Sequence, residues 1–236
     1  MSYFKSNVTV DIHDVDFNGV AKASSLMKYI QSAAELQLTE SGNSYAVLKQ
    51  KERAFILSKI RMEFYESPKA YEKLTAETFP VSSRGFTFLR CYLLKKGDDI
   101  IGRAISAWAL INTKDHSLVR VNDFELGLQE YNSLDIENPR LIIPVAPEVV
   151  GKYKVRYSDL DQNMHMNNTR YPDMYSDFLP LENKRIREIT ISYQNEARAG
   201  EELTVYRSFS DGYYYFRTVR EDGKINSESE IKLEDI

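Results

Sequence analysis

The 236-residue chain has one cysteine, Cys91, so no disulfide can close within it. That usage fits a reducing compartment. No run approaches the ~18 consecutive apolar residues that a membrane-crossing helix needs, so no membrane insertion is expected. The opening residues Met1 to Lys5 carry no basic segment leading into an apolar run of ~7–15 residues, so no secretory leader is expected, and a cytoplasmic setting follows. Charge of one sign is not in excess: 31 Lys and Arg face 35 Asp and Glu, for a net charge of -4. The whole-molecule field therefore does not favour nucleic acid. Histidine is scarce, at three residues, and forms no cluster with cysteine, so no metal or other cofactor is expected. No serine sits in a G-x-S-x-G turn, which argues against a serine hydrolase.

What is present is globular in character, with 42% hydrophobic and 28% charged residues. Sixteen Tyr and eleven Phe bring aromatics to 12%, a bias toward sheet. The length suits one large domain or two of ~115 residues.

An internal repeat organises the chain. Asp14-Val15-Asp16-Phe17-Asn18 returns 145 positions later as Asp159-Leu160-Asp161-Gln162-Asn163. Each copy follows a short extended segment (8–12 and 152–157) and precedes a helical one. Leu26, Ile30, Ala33, Ala34 and Leu38 share one helix face, and Gly42 suits a left-handed cap. The second helix is predicted from about 168 to 179, with Pro172 tolerated in its first turn and Pro180 ending it. Strands follow in both halves. Ile60, Met62 and Phe64 alternate with Lys59, Arg61 and Glu63, and Ile189, Ile191 and Tyr193 alternate with Glu188, Thr190 and Ser192. Asp211-Gly212 and Asp222-Gly223 read as hairpin turns, and residues 95–99, with Gly97, as another.

The shared order, strand then helix then several antiparallel strands, predicts an α+β fold of two tandem hotdog repeats. Each would be a long helix wrapped by a curved antiparallel sheet, and the two sheets would join into one continuous sheet. The boundaries fall at 1–121, 122–150 and 151–236. The middle piece, with Pro139, Pro144 and Pro147, reads as a linker in which 123–131 could form a short helix.

The densest polar cluster runs from Asp159 to Asn168 and leads into the second helix. Together with Tyr157 and Tyr171 it carries D-x-D-x-N-x-H-x-N-N-x-x-Y, and in that register the chain resembles the acyl-acyl carrier protein (acyl-ACP) thioesterases of plants and bacteria. Met166 stands where that family usually has valine. Tyr193-Gln194-Asn195-Glu196-Ala197 is similar to the family's Y-x-x-E-C segment, and residues 106–112 are similar to another family segment in the first half. Ala197 in place of cysteine excludes a cysteine nucleophile there.

The resemblance implies hydrolysis of fatty acyl-ACP thioesters to free fatty acid, ending fatty-acid synthesis. It implies Asp161 as nucleophile or water-positioning base, Glu196 as second carboxylate, and Asn163 and His165 as orienting groups. Histidine titrates near neutrality, so His165 could also protonate the leaving sulfur. Amides of residues 165–169, at a helix start, suit the thioester oxygen, which places Asn167, Asn168 and Thr169 at the substrate. Trp108, Met27 and Ile30 are expected to line the acyl pocket, although a plain core role is the simpler reading for such residues. The first repeat keeps Asp14, Asp16 and Asn18 but has Val20 at the histidine position and Ser67 at the glutamate position. One active site, in the second half, is therefore expected, with the first half supplying the pocket.

Other readings compete. Asp14 to Gly19 begins like a calcium loop, but position twelve is Ser25, and the second copy has Met164 for the glycine and Arg170 at twelve. Capping of the turn explains the first copy better. His13 and His116 read as surface residues, and Cys91 as a small buried hydrophobe. The implied partner is an acyl carrier protein bearing a 4'-phosphopantetheine-linked acyl chain. Lys152, Lys154, Arg156, Lys184, Arg185, Arg187 and Arg198 could form a basic patch for it. An acyl-CoA thioesterase of the same fold and a non-enzymatic acyl-binding module are the alternatives. A homodimer is compatible with the design.

Overall fold

The computed structural model describes residues 3–139 and 147–236. Met1 and the linker proline Pro144 lie outside the described residues. The first half comprises β1 (Phe4–Thr9), α1 (Ala23–Glu40), α2 (Tyr45–Gln50), β2 (Arg53–Phe64), β3 (Lys73–Arg84), β4 (Thr87–Lys96), β5 (Asp99–Asn112) and the short β6 (Leu118–Val119). The second comprises β7 (Glu148–Lys154), α3 (Tyr171–Ser176), β8 (Lys184–Tyr193), β9 (Glu202–Ser210), β10 (Tyr213–Val219) and β11 (Ile225–Asp235).

Among the described residues, the eleven strands form one sheet in the order β1-β3-β4-β5-β2-β8-β11-β10-β9-β7, with β6 beside β5. The turns follow local chemistry. Gly97 (φ 62°), Asp211 (52°), Gly212 (82°) and Gly223 (81°) take the left-handed conformations that tight hairpins need.

The halves meet at β2 and β8, which pair antiparallel about Arg61 opposite Thr190, with Ile60 opposite Ile191 and Met62 opposite Ile189. All four of these aliphatic side chains are fully buried. Burial of each contributes roughly 1.5–3 kcal/mol. On the opposite face Arg61 crosses the seam to Glu188 (3.2 Å) and Glu230 (3.4 Å). One hydrophobic core runs through both halves, from Met27 and Ile30 of α1 to Met174 and Tyr175 of α3.

The two helices differ. α1 spans 18 residues, its last turn closed by Gly42 at φ 79°. The second helical segment is shorter than expected: a 3-10 turn, Asn168–Arg170, then six residues of α3. Pro172 occupies its first turn, and Ser176 Oγ donates back to the Pro172 carbonyl (2.8 Å). The Phe178 and Leu179 amides then tighten to three-residue turns onto Tyr175 and Ser176. This turn lays the Phe178 ring on Gly151 of β7, so closely that a Cβ there would meet it at 2.6 Å. Packing against β7 therefore ends the helix before Pro180 does.

The expected helix at 123–131 does not form. A 3-10 turn covers Val121–Asp123, and irregular chain follows. Tyr131, Leu134 and Ile136 instead pack on Phe79, Val81 and Cys91, covering the side of the sheet away from α1. Docking three apolar side chains onto a sheet outweighs the weak helical tendency of a short segment. Cys91 is fully buried, as its sequence context suggested.

Candidate functional site

The two copies of the polar turn have the same backbone. In the second, the Asp161 amide donates to the His165 carbonyl (2.8 Å) and the Met164 amide to the Asp161 carbonyl (3.1 Å). Asp161 Oδ1 accepts from the amides of Asn163 (2.8 Å) and His165 (3.2 Å). In the first, Asp16 does the same with Val20, Gly19 and Asn18. Residue identity is explained locally: an aspartate can accept two amides from its own turn, and Gly19 takes φ 74° freely. Met164 holds φ 64° at the equivalent place, a conformation that disfavours a side chain.

His165 bridges to Arg198, as Val20 bridges to Lys69. This register places Glu196 where the first half has Ser67. His165 Nε2 lies 3.0 Å from a Glu196 carboxylate oxygen. The histidine side chain is 23% exposed and the glutamate 53%, so the pair opens toward solvent. Asn163 Oδ1 accepts from the Tyr45 hydroxyl (2.8 Å), and its Nδ2 reaches Asp161 Oδ2 at 3.5 Å. Tyr45, at the start of α2 in the first half, was not singled out in the sequence. The contact joins positions 118 residues apart, and no local pattern signals it.

The turn is braced from beneath. Asp159, 2% exposed, accepts from the Arg156 amide (2.8 Å) and pairs with Arg170 (3.3 Å). The Tyr193 hydroxyl donates to the Asn168 carbonyl (3.0 Å). Tyr171 is buried and accepts from Asn226 (3.0 Å), and burial pushes its pKa up to about 12, so it stays a neutral phenol.

The amides of residues 165–169 are less available than the sequence suggested. Those of His165, Met166, Asn167 and Thr169 donate to Asp161, Ala197, Asp159 and Asn167 respectively. The Asn168 amide is the one without such a partner among the described residues. Thr169 is buried, its hydroxyl donating to Asn167 Oδ1 (2.8 Å).

A cavity of about 910 Å³ opens at this turn and runs into the first half. That is ample for a small-molecule ligand. Asp161, Asn163, Asn167 and Asn168 border it at one side, and Ala34, Leu38, Phe88 and Trp108 line it within. His165 and Glu196 stand outside its wall, on the solvent side. Met27 and Ile30 are buried in the core at 0% and 3% exposure and do not reach the cavity; the next face of α1 does. Among the described residues no group of three or more His, Cys, Asp or Glu is arranged to hold a metal. No helix among them is long and apolar enough to cross a membrane.

Two hotdog-like halves, one sheet and one acid–histidine pair set beside a turn that borders a large cavity define a tandem hotdog protein with one elaborated turn among the described residues. The chain belongs to the acyl-ACP thioesterase family: residues 1–126 match its N-terminal domain and residues 144–235 its C-terminal domain. It is 23% identical over 220 residues to the oleoyl-acyl carrier protein thioesterase 2, chloroplastic, of Arabidopsis thaliana, covering 83% of this chain and 60% of that one. It is 22% identical to the palmitoyl-acyl carrier protein thioesterase, chloroplastic, of Cuphea hookeriana, covering 89% of this chain and 56% of that one. The chain thus spans little more than half the length of these plant relatives. The crystal structure of an acyl-ACP thioesterase from Bacteroides thetaiotaomicron superposes with a TM-score of 0.90 at 25% identity, covering 98% of this chain and 97% of that one. The 12:0-ACP thioesterase from Umbellularia californica shares the fold, with a TM-score of 0.83 at 16% identity over 99% and 97% of the two chains.

Proposed function

We propose that this protein hydrolyses fatty acyl-ACP thioesters to free fatty acid and holo-carrier protein, ending fatty-acid synthesis in the cytoplasm. The observation that carries the reading is the His165–Glu196 pair at 3.0 Å on the same turn as Asp161 and Asn163, which border a cavity of about 910 Å³, roomy enough for an acyl chain. In this reading residues 1–121 supply the chain pocket, 151–236 the chemistry, and 122–150 the connection.

The reaction adds water across the carbon–sulfur bond. The oxygen joins the acyl carbon, and the sulfur leaves with the proton. Asp161 Oδ1 is held by two amides, and Oδ2, which takes only the long 3.5 Å contact from Asn163 Nδ2, is the oxygen left for the substrate. Glu196 accepts from His165 and orients the imidazole, which can then pass a proton to the departing sulfur. The Asn168 amide, and Asn163 Nδ2 once it leaves its 3.5 Å contact with Asp161, are the candidate donors for the thioester oxygen.

The carrier protein is the proposed partner. Much of the expected basic patch is already engaged: Lys152 with Glu202 (2.6 Å), Lys184 with Asp235 (3.9 Å), and Arg185 and Arg187 with Glu234. Lys154, Arg156 and Arg198 make no side-chain ion pair among the described residues, and all three are exposed near the catalytic turn. These three are the proposed landing points for an acidic carrier. Turnover of palmitoyl-ACP and palmitoyl-CoA should be compared, with wild type beside Asp161→Ala and His165→Ala. Preference for the carrier substrate, weakened by salt and lost in both variants, supports the reading. Preference for the CoA ester would favour an acyl-CoA thioesterase.

A further inference from the structure

The cavity wall includes a buried cation. Arg90, on β4, is 6% exposed and faces the space beneath α1. Its Nη1 donates to Gln37 Oε1 (2.5 Å) and Thr78 Oγ1 (3.0 Å), both neutral. Its Nε and Nη2 have no hydrogen-bond partner, and no carboxylate lies within ion-pair distance, among the described residues. Glu35 and Glu130 border the same cavity without reaching it. Gln31 of α1 also lines the cavity, and its Nε2 is buried without a partner. A guanidinium cannot shed its proton at neutral pH, and a buried charge without a counter-ion is costly. A pocket meant only for methylene groups gains nothing from donors in its wall.

The position of Arg90 relative to the chemistry follows from the sheet. The catalytic turn rests on β8 through Tyr193, and β4 lies three strands away across β2 and β5. At the usual strand spacing that is about 14 Å. An acyl group whose thioester sits at Asp161 would reach Arg90 with its distal carbons.

We propose that Arg90 and Gln31 select acyl chains that carry an oxygen acceptor toward the end remote from the thioester, a carboxylate before a hydroxyl and both before a methyl. The proposal rests on the cavity being the acyl pocket. The free Nε and Nη2 present a forked donor pair, which a carboxylate can accept two-fold, and Gln31 Nε2 adds a neutral donor. Arg90 acts on specificity and stands apart from the reacting atoms.

Two readouts keep this proposal separable from the hydrolase reading. Calorimetry would compare a long monocarboxylic acid with the dicarboxylic acid and the terminal hydroxy acid of equal length, on wild type and on Arg90→Met. Turnover would use the matching carrier-bound thioesters. Wild type is expected to favour the carboxylate-ended ligand about 10- to 100-fold over the methyl-ended one, the usual worth of a hydrogen bond to a charged group. Arg90→Met should reverse the order. Replacing a buried charge by an apolar side chain is generally tolerated, and Thr78→Val, which removes one tether but keeps the cation, should preserve the wild-type order. If no thioester is cleaved but binding shows the Arg90-dependent order, the selectivity stands and the hydrolase reading falls. If methyl-ended chains bind and turn over best, and Arg90→Met changes all three ligands equally, the selectivity is overturned while hydrolysis stands.

Discussion

The turns at Asp14–Lys22 and Asp159–Asn167 share one hydrogen-bonding pattern and have separate fates. The first is turned inward to hold the molecule together. Asp14 accepts from Ser25 (3.0 Å) and Tyr29 (2.6 Å) of its own helix. Asn18 Nδ2 donates to the carbonyls of Leu181 (2.8 Å) and Lys184 (3.1 Å), and its Oδ1 accepts from the Asn183 amide (3.3 Å). The second turn reaches back to the first half through Asn163 and Tyr45, and opens onto the large cavity. The cleft at the first turn is only about 300 Å³. Helix length contributes to the difference: α1 offers long cavity walls to the second turn, whereas six-residue α3 offers little to the first. Identical backbone therefore does not make identical surroundings; Val20 and Ser67 stand where the second half has the His165–Glu196 pair, and the partner helix decides the room.

The largest effect should come from exchanging the aspartates' fates. Asp161→Ala should lower kcat/KM on palmitoyl-ACP by at least about 1,000-fold, whereas Asp16→Ala should stay within a few-fold while losing about 1–2 kcal/mol of stability. Equal losses of activity would break the contrast. Next, His165→Val, which copies the first turn, should cost about 100- to 10,000-fold with an unchanged unfolding midpoint. The reverse pair, Val20→His with Ser67→Glu in an Asp161→Ala background, should restore no turnover, because the small cleft has no room for a chain.

Stability effects come third. Asn18→Ala should cost about 1–3 kcal/mol in denaturant unfolding, since three hydrogen bonds to the other half go at once, while Asn163→Ala should mainly lower turnover. The smallest effect concerns the seam, where Arg61 and Glu63 stand opposite Thr190 and Glu188. Burial pushes Glu63 upward, but its bonds to Arg103 and Arg61 outweigh that and hold its pKa below the ordinary 4.5. A depressed carboxyl stabilises the fold above its unfolded pKa and loses that contribution as pH falls through the folded value. As pH falls below the ordinary 4.5, acid unfolding should therefore be shallower in Glu63→Gln than in wild type. Coincident acid curves would remove the seam pair from the account.

Much of the frame was legible locally. Alternation marked β2 and β8, Asp-Gly pairs marked the hairpins, and Gly42 marked the end of α1. The second helix was overextended because helical spacing continues past Ser176, and nothing near Phe178 announces that its ring rests on Gly151. Tyr45 was invisible for the same reason. Arg90 did leave a trace, as a lone cation within the apolar run Phe88-Leu89-Arg90-Cys91-Tyr92, where a charge is rare without a purpose.

By itself, the sequence determined the periodicities, the turn chemistry, the repeat and the family motif from Asp159 to Tyr171, because each depends on residues a few positions apart. Only the tertiary structure decided which turn faces a long cavity, that Asn18 clamps while Asn163 borders the site, that Met27 and Ile30 are core, and that Arg90 lies on the wall. Those outcomes depend on strands and helices brought together from more than a hundred residues away, and the packing of side chains at such distances has no period for a sequence to display.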